Sequence, residues 1–207
     1  MVPNFRELIE EYKSKKKDIK RRLKEFSNID KGQDKEIFPE LCFCILTPQS
    51  NARHCDKAIQ ELKKRNLFFT GRVGAIRRIL KGRSRFHNKK AEYIVNARRL
   101  FNKEILGQDD AKDIRDDLVK TIKGIGYKEA SHFLRNIGLG KDVAILDRHI
   151  LKNLKIYGII NEVPSSLTPK MYLDIEGKAR RFSKRVRIPL EELDLLFWSK
   201  ETGEIFK

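Results

Sequence analysis

Apolar residues recur at three- and four-residue intervals along almost the whole chain, and nowhere does apolar–polar alternation last long enough to specify a strand. Asn4 and Glu7 have the spacing of a capping box and open an amphipathic helix over 5–26, whose basic face is a solvated one. A loop over 28–35 leads to "EIFPELCFCIL" (36–46), apolar nearly all round, as expected of a helix buried in the middle of the protein. After a polar turn from Thr47 a helix runs to Arg65, followed by a short one over 72–82 and a striped one over 88–101. A helix over 111–123 runs up to a pair of glycines, and another over 128–138 leaves them and stops at Gly138. The helix over 147–158 starts at Asp147 and stops at Gly158. Beyond the loop 161–169, helices over 170–186 and 190–200 close the chain, the last opened by Pro189. The expected class is all-α with about ten helices and no internal repeat.

Composition narrows the partners. A chain of 207 residues can bury a real core, as one domain or two small ones. It carries 46 Lys and Arg against 29 Asp and Glu, a net charge of +17 that favours polyanions through phosphate neutralisation and counterion release. A membrane surface would also suit that charge, but no stretch approaches the ~18 apolar residues of a membrane span. The N-terminus lacks a secretory pattern, so a soluble cytoplasmic protein is expected. The odd set Cys42, Cys44 and Cys55 does not suit a disulfide framework, and with His54 it lacks paired zinc-ligand spacing, which predicts buried free thiols. The high charged fraction with only two Met leans towards a thermophile.

The candidate chemistry sits in "IKGIGYK" (122–128). Gly124 and Gly126 suit a tight turn between helices, and the amides and positive dipole end of the following helix suit a DNA phosphate. Lys128 is one cation among many, and its plain reading is a solvated charge. Yet it lies in the first helical turn, where the dipole disfavours a cation, and a lysine that loses its proton there becomes a nucleophile. Asp147, nineteen residues on, is read as an N-cap, a role compatible with a rigid carboxylate that stabilises a cationic sugar. The residues alone leave both a catalyst and a non-catalytic DNA-binding helical hairpin open.

"LVKTIKGIGYKEASHFLRNIG…VAILDRHI" resembles the helix-hairpin-helix signature of base-excision DNA glycosylases, whose bifunctional members carry G-x-G-x-K and, nineteen residues after the lysine, an aspartate in D-x-H. Gly124, Gly126, Lys128, Asp147 and His149 match, while the proline usual before the aspartate is replaced in "VAILD". "ILTPQSNA" (45–52), "RFHNKKAEYI" (85–94) and "FWSKETGEIFK" (197–207) are similar to the small, mainly archaeal 8-oxoguanine glycosylase/lyase subfamily, and the absence of cysteines after Cys55 argues against the iron–sulfur branch. The resemblance implies one two-lobed helical unit over 1–207, a helix-hairpin-helix over 112–138, and an active site in the cleft between lobes. It implies Lys128 as nucleophile, Asp147 as charge stabiliser, His149 as a phosphate contact and Gln49 as the side chain filling the stack left by a flipped nucleotide. Phe86 and Trp198 would sandwich the extruded base, with Lys207 in its recognition pocket. The plainer alternatives are a polar helix-start residue at Gln49, core or rim aromatics at Phe86 and Trp198, and a frayed end at Lys207. The implied activity is excision of 8-oxoguanine from double-stranded DNA with β-elimination at the abasic site, without metal or cofactor, by a monomer associated with a prokaryotic nucleoid. Another oxidised base remains the alternative substrate. His54, His87 and His132 receive no role.

Overall fold

The computed structural model describes residues 5–207, so the Asn4 half of the expected capping box lies outside the described residues. Among the described residues there are eleven α-helices and no strand. They are α1 (Phe5–Ser27), α2 (Asp34–Leu46), α3 (Ala52–Lys64), α4 (Leu67–Thr70), α5 (Val73–Leu80), α6 (His87–Leu100), α7 (Ala111–Thr121), α8 (Tyr127–Asn136), α9 (Arg148–Ile156), α10 (Pro169–Val186) and α11 (Leu190–Thr202). The helical-class expectation holds, and the predicted helices agree to within a few residues. The single turn α4 and a 3-10 turn over Lys103–Gly107 were not anticipated, being too short to display a period. Pro189 stands at the N-cap of α11 with extended backbone, while Thr168 caps α10 through the Met171 amide with Pro169 at the first helical position.

The chain divides into two compact units, one of residues 29–133 and one combining the N-terminal stretch to Asn28 with 134–207. In the first, α2 is the central element and packs against α3 and α6. Nine of its residues are buried, from Ile37 to Leu46, although Pro39 sits inside the helix. An internal proline costs about 3 kcal/mol, whereas each large apolar side chain removed from water contributes about 1.5–3 kcal/mol. Burial therefore outweighs the lost backbone bond. Cys42, Cys44 and Cys55 are buried free thiols, as their spacing suggested.

In the second unit α11 is the hub, contacting α1, α9 and α10. Leu8, Tyr12, Ile19 and Phe26 form the buried stripe of α1. The Tyr12 hydroxyl donates to buried Glu192 of α11 at 2.6 Å, tying together residues 180 positions apart. Tyr157 stacks on Phe197 with ring centroids 5.6 Å apart, and Arg135 pairs with Asp194 in a nearly buried ion pair. Gly138 ends α8 with φ +76, and the Leu139 amide reaches back to the Leu134 carbonyl at 2.8 Å. A Cβ on Gly138 would lie 2.6 Å from the Ser27 backbone, so glycine is required there for space as well as for conformation.

Candidate active site

The hairpin comes first. Asp110 caps α7 by accepting from the Lys112 amide, and α7 ends at Thr121. The chain crosses Ile122–Gly126, with the side chains of Ile122 and Ile125 buried as anchors, and re-enters helix at Tyr127. Gly124 has φ +88, and a Cβ added there would meet the Tyr93 ring of α6 at 2.5 Å. The turn thus needs glycine twice over, for the left-handed backbone and for the approach of an aromatic ring.

Lys128 is the second residue of α8, with about a quarter of its side chain exposed, and its amine sits 3.2 Å from Glu129 Oε1. The other carboxylate oxygen of Glu129 accepts from the Gly126 amide at 3.2 Å. Glu129 therefore both closes the start of α8, as a capping-box glutamate does, and holds the candidate nucleophile. A phosphate approaching the Gly126 amide meets a carboxylate already seated there. This residue escaped the sequence reading, although G-x-x-E across a helix start is its signal.

Asp147 belongs to the other unit. It is the N-cap of α9, its Oδ1 accepting from the Ile150 amide at 2.8 Å, as the sequence indicated. The preceding segment lacks the family proline, and its rigidity has another source. Val143, Ala144, Ile145 and Leu146 are all buried. Glu176 of α10 accepts from the Ala144 amide at 2.7 Å. The Tyr172 hydroxyl donates to the Ala144 carbonyl and accepts from the Leu146 amide. The guanidinium of Arg180 holds the Asp142 carbonyl at 2.7 Å. Three side chains spaced one turn apart on α10 thus hold the strand-like approach to Asp147, satisfying backbone groups that would otherwise be costly to bury. No local motif in "VAILD" announces them.

The imidazole of His149 packs edge-on against the indole of Trp198, with centroids 5.1 Å apart and planes at 90°. Trp198 Nε1 is buried without a hydrogen-bond partner, an orphan donor beside a half-exposed aromatic face. The C-terminus is anchored: Phe206 is buried and its carbonyl accepts from Arg22 Nε at 3.0 Å. Lys207 is consequently half-buried, unlike the end of a frayed tail.

Two further candidates lie in the unit that carries Lys128. Gln49 is exposed in the turn between α2 and α3, not within a helix start, and Asn51 provides the cap of α3. Phe86 precedes α6 and is 54% exposed, which rules out a core role. Both have left-handed backbone, with φ of 54° and 57°. Gly124, Gly126 and Lys128 share the hairpin, whereas His149 meets Trp198 where α9, capped by Asp147, faces α11.

The family model described as 8-oxoguanine DNA glycosylase matches residues 19–188. The chain belongs to the 8-oxoguanine DNA glycosylase family. Among curated members of that family, the 8-oxoguanine DNA glycosylase/AP lyase of Fusobacterium nucleatum subsp. nucleatum is 47% identical, over 98% of this chain and 97% of its own length. The protein of the same name from Methanocaldococcus jannaschii is 44% identical over 96% of this chain and 97% of its own. Among solved structures of the family, the M. jannaschii 8-oxoguanine glycosylase/lyase in complex with a 15mer DNA containing 8-oxoguanine superposes with a TM-score of 0.88. It is 40% identical, and the match covers 97% of this chain and 99% of that one. The 8-oxoguanine DNA glycosylase of Thermotoga maritima gives the same TM-score at 33% identity, covering 99% of this chain and all of that one.

Proposed function

We propose that this protein excises 8-oxoguanine from double-stranded DNA and then cleaves the strand at the resulting abasic site. The observation that carries this reading is a hairpin-borne lysine held by Glu129; within the other unit an aspartate is fixed as a helix cap. Membership of a family whose curated relatives are named glycosylase/AP lyase supports it. The charge of +17 serves duplex binding through phosphate contacts, and among the described residues no helix is long and apolar enough to cross a membrane. We place the enzyme with the chromosome, acting as a monomer in which Lys128 and Asp147 serve one nucleotide.

A base within a duplex shields its glycosidic bond, so the nucleotide is extruded, at a cost of a few kcal/mol in stacking and pairing. Gln49 occupies the vacated stack, Phe86 and Trp198 hold the base, and Lys207 lines its pocket. Lys128 gives up its proton, with Glu129 the nearest carboxylate to receive it, and its nitrogen bonds to C1′ as the bond from C1′ to the base breaks. Asp147 stabilises the positive charge that develops on the sugar. Ring opening yields a Schiff base, which acidifies the C2′ proton. Loss of that proton breaks the C3′–oxygen bond, and hydrolysis of the imine returns the amine. The hairpin and His149 hold the backbone meanwhile. Lys128→Gln tests the scheme: borohydride added with lesion DNA should trap a covalent adduct on the wild type and none on the variant, with duplex affinity nearly unchanged. A normal adduct yield from the variant would remove Lys128 from its role.

A further inference from the structure

Lys90 of α6 is 4% exposed, yet it is a lysine in the interior of the unit. Its ammonium has three N–H groups to share among four oxygens within reach, the carbonyls of Leu46 and Pro48, each at 2.7 Å, and the hydroxyls of Ser50 at 3.0 Å and Ser84 at 3.1 Å. The Leu46 carbonyl ends α2, and it also accepts from the Ser84 hydroxyl and the Cys55 thiol. No basic residue occupies the last turn of α2, so Lys90 supplies from α6 the cation that a helix C-terminus favours. Burial pushes Lys90 down to about 8, with Cys55 and Glu129 opposing and Lys128 adding to the fall. An amine this buried is tolerated only because carbonyl and hydroxyl oxygens surround it.

The four acceptors are distributed in a telling way. Pro48 and Ser50 flank Gln49, and Ser84 lies two residues before Phe86. Ser50 links the two loops directly, its hydroxyl meeting Ser84 at 3.3 Å and accepting from the Arg85 amide at 2.9 Å. Gln49 and Phe86 are two of four non-glycine residues with positive φ among the described residues, the others being Asn66 and Arg187. For residues with a Cβ such backbone costs about 1–2 kcal/mol each and persists only where surrounding bonds over-determine it. We infer that Lys90 is a positioning residue for base extrusion: its buried amine, with Ser50, locks Gln49 and Phe86 into the left-handed conformations that present their side chains to an extruded nucleotide. This rests on the reading that Gln49 and Phe86 contact that nucleotide.

Lys90→Met keeps an apolar stem as far as the ε position but removes the donors, and Ser50→Ala cuts the link between loops while leaving the lysine in place. Each variant is assayed by single-turnover release of 8-oxoguanine from a duplex, by cleavage of a duplex with a preformed abasic site, and by 2-aminopurine fluorescence beside the lesion. Base release should fall roughly ten- to a hundredfold, the scale of a small misplacement of a binding group. Ser50→Ala should show the smaller fall. Abasic-site cleavage should stay within about threefold, because no base has to be unstacked there, and the rise in 2-aminopurine fluorescence on binding should be lost. A purely structural or electrostatic role would lower both reactions together, and that result, or unchanged base release in both variants, overturns the inference. If Lys90→Met does not fold, Ser50→Ala decides alone. Gln49→Ala and Phe86→Ala separate the two levels: if they impair release while Lys90→Met and Ser50→Ala do not, the positioning idea alone fails. If they leave release unchanged, the assignment of Gln49 and Phe86 fails and the inference goes with it.

Discussion

Replacing Asp147 by asparagine and by alanine separates its two roles. Its Oδ1 accepts from the Ile150 amide at 2.8 Å, and an asparagine side chain can make the same bond. Asp147→Asn gives up only the interaction of a full charge with the helix dipole, about 0.3–1 kcal/mol. Asp147→Ala also leaves an amide at the helix start without its acceptor, and losing such a cap costs about 0.5–2 kcal/mol. For a chain of this size each kcal/mol shifts the melting temperature by about 2–4 °C, so the alanine variant should melt measurably below the asparagine variant. Activity should behave otherwise. A preorganised group aimed at developing transition-state charge contributes roughly 10²–10³-fold to the rate, and both variants lose the carboxylate charge. Single-turnover release of 8-oxoguanine, followed beside thermal unfolding, should show two variants equally slow but unequally stable. The contacts from Glu176 and Tyr172 to the Ala144 backbone do not involve the Asp147 side chain, so the approach segment keeps its path in both. Asp147→Asn turning over within about threefold of the wild type, against the 10²-fold expected, would reduce Asp147 to a structural cap.

The hairpin and the C-terminus give two further expectations. Gly124→Ala sets a Cβ 2.5 Å from the Tyr93 ring at φ +88. Overpacking of that kind costs about 1–3 kcal/mol, and the left-handed backbone adds about 1–2 kcal/mol. Thermal unfolding should therefore show a clear loss, with weaker duplex binding as the turn shifts, and an unchanged melting temperature would mean that the turn relaxes freely. Deleting Lys207 should leave stability nearly intact, because Phe206 and its bond to Arg22 remain, while lowering discrimination between 8-oxoguanine and guanine. Single-turnover excision from both duplexes gives that ratio, and an unaltered ratio would locate the recognition pocket elsewhere.

Much of this protein is local in origin and could be read from its residues. Helical periods, the cap at Asp147 and the glycine stop at Gly138 depend on neighbours within about one turn, the range over which backbone and cap bonds form. The candidate nucleophile and the capping aspartate were legible for the same reason, since G-x-G-x-K and D-x-H are short motifs. The single turn α4 and the 3-10 turn over Lys103–Gly107 were not legible, because neither is long enough to show a period. What remained hidden is long-range. Glu176 and Tyr172 reach residues 32 and 28 positions away, and Lys90 reaches carbonyls 44 and 42 positions away. In sequence Lys90 is one of 46 basic residues, and only packing removes it from water. A buried amine then has to be met by oxygens wherever the fold brings them, and that demand, set by desolvation, turns an ordinary lysine into the node between two loops.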